Sequence, residues 1–281
     1  MIYISTGLIK NQSAFKTSDY YLNNGIKNIE LSGGTFEENL IKKIKKLKKI
    51  AKFTLHNYFP PPKKPFTLNL ATLDKELFKI CNNHIKNTIR YCNEIESETY
   101  SFHAGFLIDP RPEELGKKLV KRKVNNRKLA INIFVDRLNK LSAFAKKEGV
   151  SLLIENNVIS KKNLDLYKTN PLLMTNTNET RFVMNNTPKN INLLVDVAHL
   201  KVSAKTLKFD KKRFLQDCSK WIQGYHLSDN DGNYDSNEVV KRKSWFWPYL
   251  KKNINYYTLE VNSSNTKILL QQKKLIENML N

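Results

Sequence analysis

Short apolar runs alternate with longer amphipathic stretches eight times along this chain. That alternation leaves few architectures open, because strands that alternate with helices pair in parallel and need cover on both faces. The runs are Ile2–Thr6, Ile29–Ser32, Phe53–His56, Tyr100–Ala104, Leu152–Asn156, Leu193–His199, Ile222–Ser228 and Tyr256–Val261. Most are built from β-branched, leucine or aromatic residues and end on polar ones. This is the pattern of a buried strand whose C-terminal end reaches a polar surface.

Helix candidates fill the intervals. Ser18–Asn24 stops at Gly25, and Phe36–Lys49 starts beside Thr35 as N-cap, with Glu37 and Glu38 in its first turn. Leu73–Glu96 and Lys128–Glu148 are long and amphipathic, the second ending before Gly149. Asn178–Asn186, Asp210–Lys220, Asn237–Trp247 (ending before Pro248) and Thr266–Leu280 complete the set. Eight strand–helix units predict α/β class: a single (β/α)8 TIM barrel with eight parallel strands, spanning 1–281 as one domain. The competing open doubly wound sheet would place a Gly-rich phosphate loop after the first strand, and Ile2–Thr6 is followed by none. Pro60-Pro61-Pro62 reads as a stiff βα loop on the top face.

Apolar residues make up 40% of the 281, enough for a sizeable core and too many for a disordered chain. No apolar run approaches the roughly 20 residues that span a bilayer. The strand-like N-terminus carries no targeting pattern, and Cys81, Cys92 and Cys218 have the spacing of free thiols, so a cytoplasmic chain without membrane contact is expected. The net charge of +22 has two readings. A nucleic acid or other polyanion is one partner it would attract. The lysines recur throughout, however, as in Lys42-Lys43-Ile44-Lys45-Lys46, which favours lysine-rich composition on solvated helix faces.

The chemistry gathers at strand ends. Of five histidines, His56, His103, His199 and His226 fall at or near predicted strand C-termini; His84 lies in a helix and reads as a surface or packing residue. Carboxylates repeat the pattern: Glu155 in Leu152-Leu-Ile-Glu155, Asp196 in Leu194-Val-Asp-Val-Ala-His199, Asp229 and Asp231 after His226, and Glu260 in Tyr257-Thr-Leu-Glu260. A barrel brings these ends to one mouth. An acid ending an apolar core strand is costly unless paired or bound to metal. Mixed oxygen and nitrogen donors suit Mn, Mg, Co or Zn; core ion pairs are the plainer alternative. Trp245, Phe246 and Trp247 offer either an apolar wall for a sugar face or helix core.

The ordered set Glu155, Asp196-Val-Ala-His199, His226-Leu-Ser-Asp-Asn-Asp-Gly232 and Glu260 resembles the xylose-isomerase-like TIM-barrel superfamily, in the branch holding sugar-phosphate isomerases, epimerases and endonuclease IV. The resemblance implies one divalent metal on Glu155, Asp196, His226 and Glu260. It also implies Glu155 and Glu260 as the catalytic acid/base pair, and His199 as a substrate contact. His56, His103 and Asp229 join it as substrate-binding candidates. The implied activity is isomerisation or epimerisation of a sugar, sugar phosphate or polyol through an enediolate. The alternative is an endonuclease IV-like zinc phosphodiesterase acting on abasic DNA, which also uses histidines matching His56 and His103. That enzyme's third zinc needs an Asp-x-His pair, where this chain reads Asp235-Ser-Asn237. A further alternative is a non-catalytic barrel that retains its metal. A homo-oligomer is expected from the fold alone.

Overall fold

The computed structural model describes residues 1–281 apart from Leu8, Lys10, Gly116 and Lys118. Eight parallel strands close a barrel in sequence order. They are β1 Ile2–Ser5, β2 Asn28–Ser32, β3 Lys52–His56, β4 Thr99–His103, β5 Ser151–Glu155, β6 Ile191–Asp196, β7 Ile222–Leu227 and β8 Tyr256–Leu259. β1 pairs with both β2 and β8, which leaves no edge. The helices are α1 Ala14–Asn23, α2 Leu40–Leu47, α3 Lys75–Glu94, α4 Arg127–Lys147, α5 Lys161–Tyr167, α6 Thr177–Asn185, α7 Val197–Leu207, α8 Lys211–Cys218 and α9 Thr266–Leu280. No helix among the described residues is long and apolar enough to cross a membrane.

Most helices begin where a short polar side chain accepts from the free backbone N–H groups of the first turn. Asp74 caps α3, Asn126 caps α4 and Asn265 caps α9. Four sequence expectations fail here. α1 starts at Ala14, not Ser18, because Ser13 caps it by accepting from Lys16 N. α2 starts at Leu40, not Phe36, because Asn39 adopts a left-handed turn and Glu37 is drawn to Ser13 and Lys43. The strand expected to run to His199 ends at Asp196, and α7 follows without a loop. Asn237–Trp247 is irregular, with a single 3-10 turn at Trp247–Tyr249. Its backbone is committed elsewhere: Asp229 and Glu238 exchange both N–H···O bonds, and Val240 N–H donates to Gln272 on α9.

Alternation along each strand splits the interior into two environments. Outward residues such as Ile29, Leu31, Leu55, Ile154 and Val195 join the main core beneath the helices. Inside the barrel, Leu153, Leu194 and Tyr256 form a separate apolar cluster against Tyr3. Gly224 leaves room for it: a Cβ there would lie 2.4 Å from Tyr256 and 2.7 Å from Leu194. Two residues further along the same strands the lining becomes Glu155, Asp196, His226 and Thr258, all buried.

Candidate metal centre

Glu155 stands at the middle of the polar layer, with no exposed side-chain surface. Its two oxygens face different partners. Oε2 lies 3.1 Å from His103 Nδ1 and 3.4 Å from His56 Nε2. Oε1 lies 3.3 Å from His226 Nδ1 and 3.5 Å from His199 Nδ1. From the far side, Glu260 Oε2 reaches the same His226 Nδ1 at 2.9 Å. Asp196 divides its carboxylate between two tasks. Oδ1 caps α7, accepting from Ala198 N and His199 N at 2.7 Å each, while Oδ2 is left free. That cap turns the chain into a helix at once and swings His199 back over the mouth.

Both oxygens of Glu155, Asp196 Oδ2, His103 Nδ1 and His226 Nδ1 are buried without a hydrogen-bond partner. Orphaned buried polar atoms are rare and call for an explanation such as an ion. Here they converge. Glu155, Asp196, His226 and Glu260 each offer a donor atom, all within 4.8 Å of one another, and His56, His103 and Glu155 form a second such group on the other oxygen. The donor set fits a divalent cation of the Mn, Mg, Co or Zn type, with carboxylate oxygen and imidazole nitrogen mixed.

The electrostatics agree. Burial pushes His199 and His226 towards neutrality, but surrounding carboxylates outweigh it: Asp196 and Asp235 for His199, and Glu30, Glu155 and Glu260 for His226. Both imidazoles therefore hold a proton well above the usual range when no metal competes. Burial pushes Asp196 up to about 7, with Asp235, Glu155 and Glu260 adding repulsion against the pull of His199. His103 falls to about 4, through burial first and then its imidazole neighbours, despite Glu155. Burial opposes ionisation of Glu155 too, yet His103, His226 and His56 hold its carboxyl well below the usual range. A site that accumulates charge of both signs in a buried layer has protons to exchange for a cation.

Two residues of this layer were not singled out as contributors from sequence. Glu30 on β2 is fully buried and accepts from His226 Nε2 at 2.9 Å. An acid inside an otherwise apolar strand was the available signal. Asp235 accepts from His199 Nε2 at 3.1 Å. In the amide orientation that satisfies both groups, Asn237 turns its nitrogen to Asp235 at 2.9 Å, so this position supplies a donor, not a ligand.

Other sequence candidates lie apart. Asp229 has both oxygens engaged, by Lys201 at 2.6 Å, Asn230 N at 2.9 Å and Ser244 at 2.7 Å, and it pins the loop after β7 instead of lining the mouth. Phe246 and Trp247 are core residues, and Trp245 packs against the core. His84 stacks on Tyr58 at 5.6 Å, away from the other histidines. Two surface grooves of about 750 and 420 Å³ lie outside the barrel mouth. In the larger, Arg127 pairs with Glu179 and Arg213 with Asp217.

No curated protein matches the chain. Among solved structures, a D-tagatose 3-epimerase-like protein is 16% identical with a TM-score of 0.75, over 99% of this chain and 96% of that one. The TTHB071 protein from Thermus thermophilus, soaked with zinc chloride, is 18% identical with a TM-score of 0.65, over 99% and 98%. An AP endonuclease of family 2 from Brucella melitensis is 11% identical with a TM-score of 0.68, over 97% and 98%. At these identities the likeness shows the fold alone. The family described as Xylose isomerase-like TIM barrel matches residues 21–256, and the chain belongs to it.

Proposed function

We propose that the chain is a divalent-metal-dependent isomerase or epimerase of a sugar or sugar phosphate. The observation that carries this reading is the approach of Glu155, from β5, and Glu260, from the end of β8, to one point, His226 Nδ1, at 3.3 and 2.9 Å. Glu155, Asp196, His226 and Glu260 would hold the ion, which supplies Lewis-acid polarisation of the substrate's carbonyl and adjoining hydroxyl. Glu155 and Glu260 then remove a proton from the carbon beside that carbonyl and return one, through an enediolate. His199, His56 and His103 contact substrate oxygens at the mouth. The buried free thiols Cys81, Cys92 and Cys218 suit a cytoplasmic setting, and a homo-oligomer remains a proposal from the fold.

The test is solvent exchange. A ketose panel incubated in D2O with metal-loaded protein should gain deuterium beside the carbonyl, and Glu155→Gln should slow this by about 10³-fold. Full activity in that variant would remove Glu155 from the mechanism.

A second reading, phosphodiester hydrolysis at abasic sites, is favoured by the His56–His103–Glu155 group, which would suit a second metal beside the first. The Asn237 amide on Asp235 weighs against a third. Cleavage of an abasic duplex with no sugar exchange would select this reading. Metal uptake with neither activity would leave a binding barrel.

A further inference from the structure

Glu30 has no place in the ligand set that the family resemblance supplies, yet it sits beneath it with no exposed surface. Its Oε2 takes three hydrogen bonds: from His226 Nε2 at 2.9 Å, from Thr258 Oγ1 at 2.9 Å and from the Tyr256 hydroxyl. An ionised carboxylate only accepts, so the direction of every proton next to it is fixed, and the order propagates outward.

On one branch, His226 must carry a proton on Nε2. Once a metal ion displaces the second proton, its lone pair is on Nδ1, the nitrogen that faces Glu260 at 2.9 Å and Glu155 at 3.3 Å. On the other, Tyr256 gives its O–H to Glu30 and can only accept from Ser101 Oγ, 3.0 Å away. Ser101 has thereby committed its own proton and accepts from His56 Nδ1 at 2.9 Å. The other acceptor near Ser101, the Leu55 carbonyl, is at 3.5 Å, too long to compete. His56 therefore carries a proton on Nδ1, and in the neutral ring the Nε2 lone pair faces Glu155 Oε2, 3.4 Å away. A lone pair facing a carboxylate is repulsive unless a cation or a hydroxyl proton lies between them.

We propose that Glu30 is the positioning residue of the centre. One carboxylate selects the outward nitrogen of two neighbouring histidines that face different oxygens of Glu155, directly for His226 and through Tyr256 and Ser101 for His56. Partners of this kind orient ligating imidazoles and fix their tautomers. The inference rests on the metal-centre reading above and holds for either reaction.

The test is long-range ¹H–¹⁵N spectroscopy of the histidine rings in zinc-loaded protein, with zinc affinity measured alongside. The wild type, which needs no substitution to be informative, should show His226 protonated on Nε2 with zinc on Nδ1, and His56 protonated on Nδ1. Tyr256→Phe should disturb the His56 signals and leave those of His226 in place. Glu30→Gln should disturb both and weaken zinc binding by about 10–100-fold, with an unchanged circular dichroism spectrum. Zinc bound through His226 Nε2 would overturn the inference. So would a Glu30→Gln protein with wild-type ring signals and zinc affinity within about twofold of normal. Those outcomes leave the metal centre standing. A wild type that takes up no zinc brings down both.

Discussion

Two residues apart on the same strands, the barrel interior changes from oil to electrolyte. Leu153, Leu194, Gly224 and Tyr256 give way to Glu155, Asp196, His226 and Thr258. The lower layer is satisfied: its side chains fill the space that Gly224 vacates, and its one polar atom, the Tyr256 hydroxyl, is hydrogen-bonded to Glu30 and Ser101. The upper layer is left with orphaned donors and acceptors facing one another. The first layer gives stability, and the second holds charges that stability alone would not select, because desolvated carboxylates are costly without a partner.

The comparison can be broken most forcefully on β6. Leu194→Ala should cost about 2–5 kcal/mol in denaturant unfolding while leaving metal uptake at the wild-type level. Asp196→Asn, two residues on, keeps a good cap for α7 and removes a buried charge. Its metal-free stability should stay within about 1 kcal/mol of wild type, while its metal is lost. Equal destabilisation by the two variants would mean that the upper layer is structural.

A smaller effect sharpens the contrast through pH. In the folded, metal-free protein Asp196 sits at about 7, above its unfolded value near 3.9, so stability falls as pH rises across that window. His199 and His226 are raised as well, so their contribution is full below about 6.5 and is lost as pH climbs through their higher folded values. Glu30 acts in the opposite sense. Burial pushes it up, but His226, His56 and Tyr256 outweigh that and bring it down to about 2, so its contribution is present above about 4.3 and is lost in acid. His103 and His84, both brought down to about 4 chiefly by burial, oppose Asp196 below about pH 6.5, so the fall belongs to the range from about pH 6.5 to 8, where His199 and His226 dominate. Calorimetry in chelator should show the melting temperature falling over that range, and zinc should reverse the slope because its ligands must be deprotonated. A rise with pH in chelator would contradict the charge distribution described.

The barrel was legible because each β-strand announces itself twice, by its apolar run and by the polar residue that ends it. Glu155 and His226 follow from that reading directly, and Asp196 marks the end of β6. His199 was recognised for the wrong reason. Val197-Ala-His-Leu200 continues the apolar pattern of β6, and only the cap geometry of Asp196 shows that the backbone has already become helix. Glu30 was hidden because its partners Tyr256, Thr258 and His226 lie 226, 228 and 196 residues away, and no local pattern marks a carboxylate that serves another residue's ring. Asp229, close to His226 in sequence, has its oxygens held by Lys201 and Ser244, partners that no local pattern in the chain announces.

The central claim is that the upper layer is a metal centre, and elemental mass spectrometry of the purified protein tests it most directly. The account predicts about one to two divalent ions per chain, absent from Asp196→Asn, with any second ion lost from His56→Ala. A wild-type protein that holds no metal, even after dialysis against zinc and manganese, would contradict it.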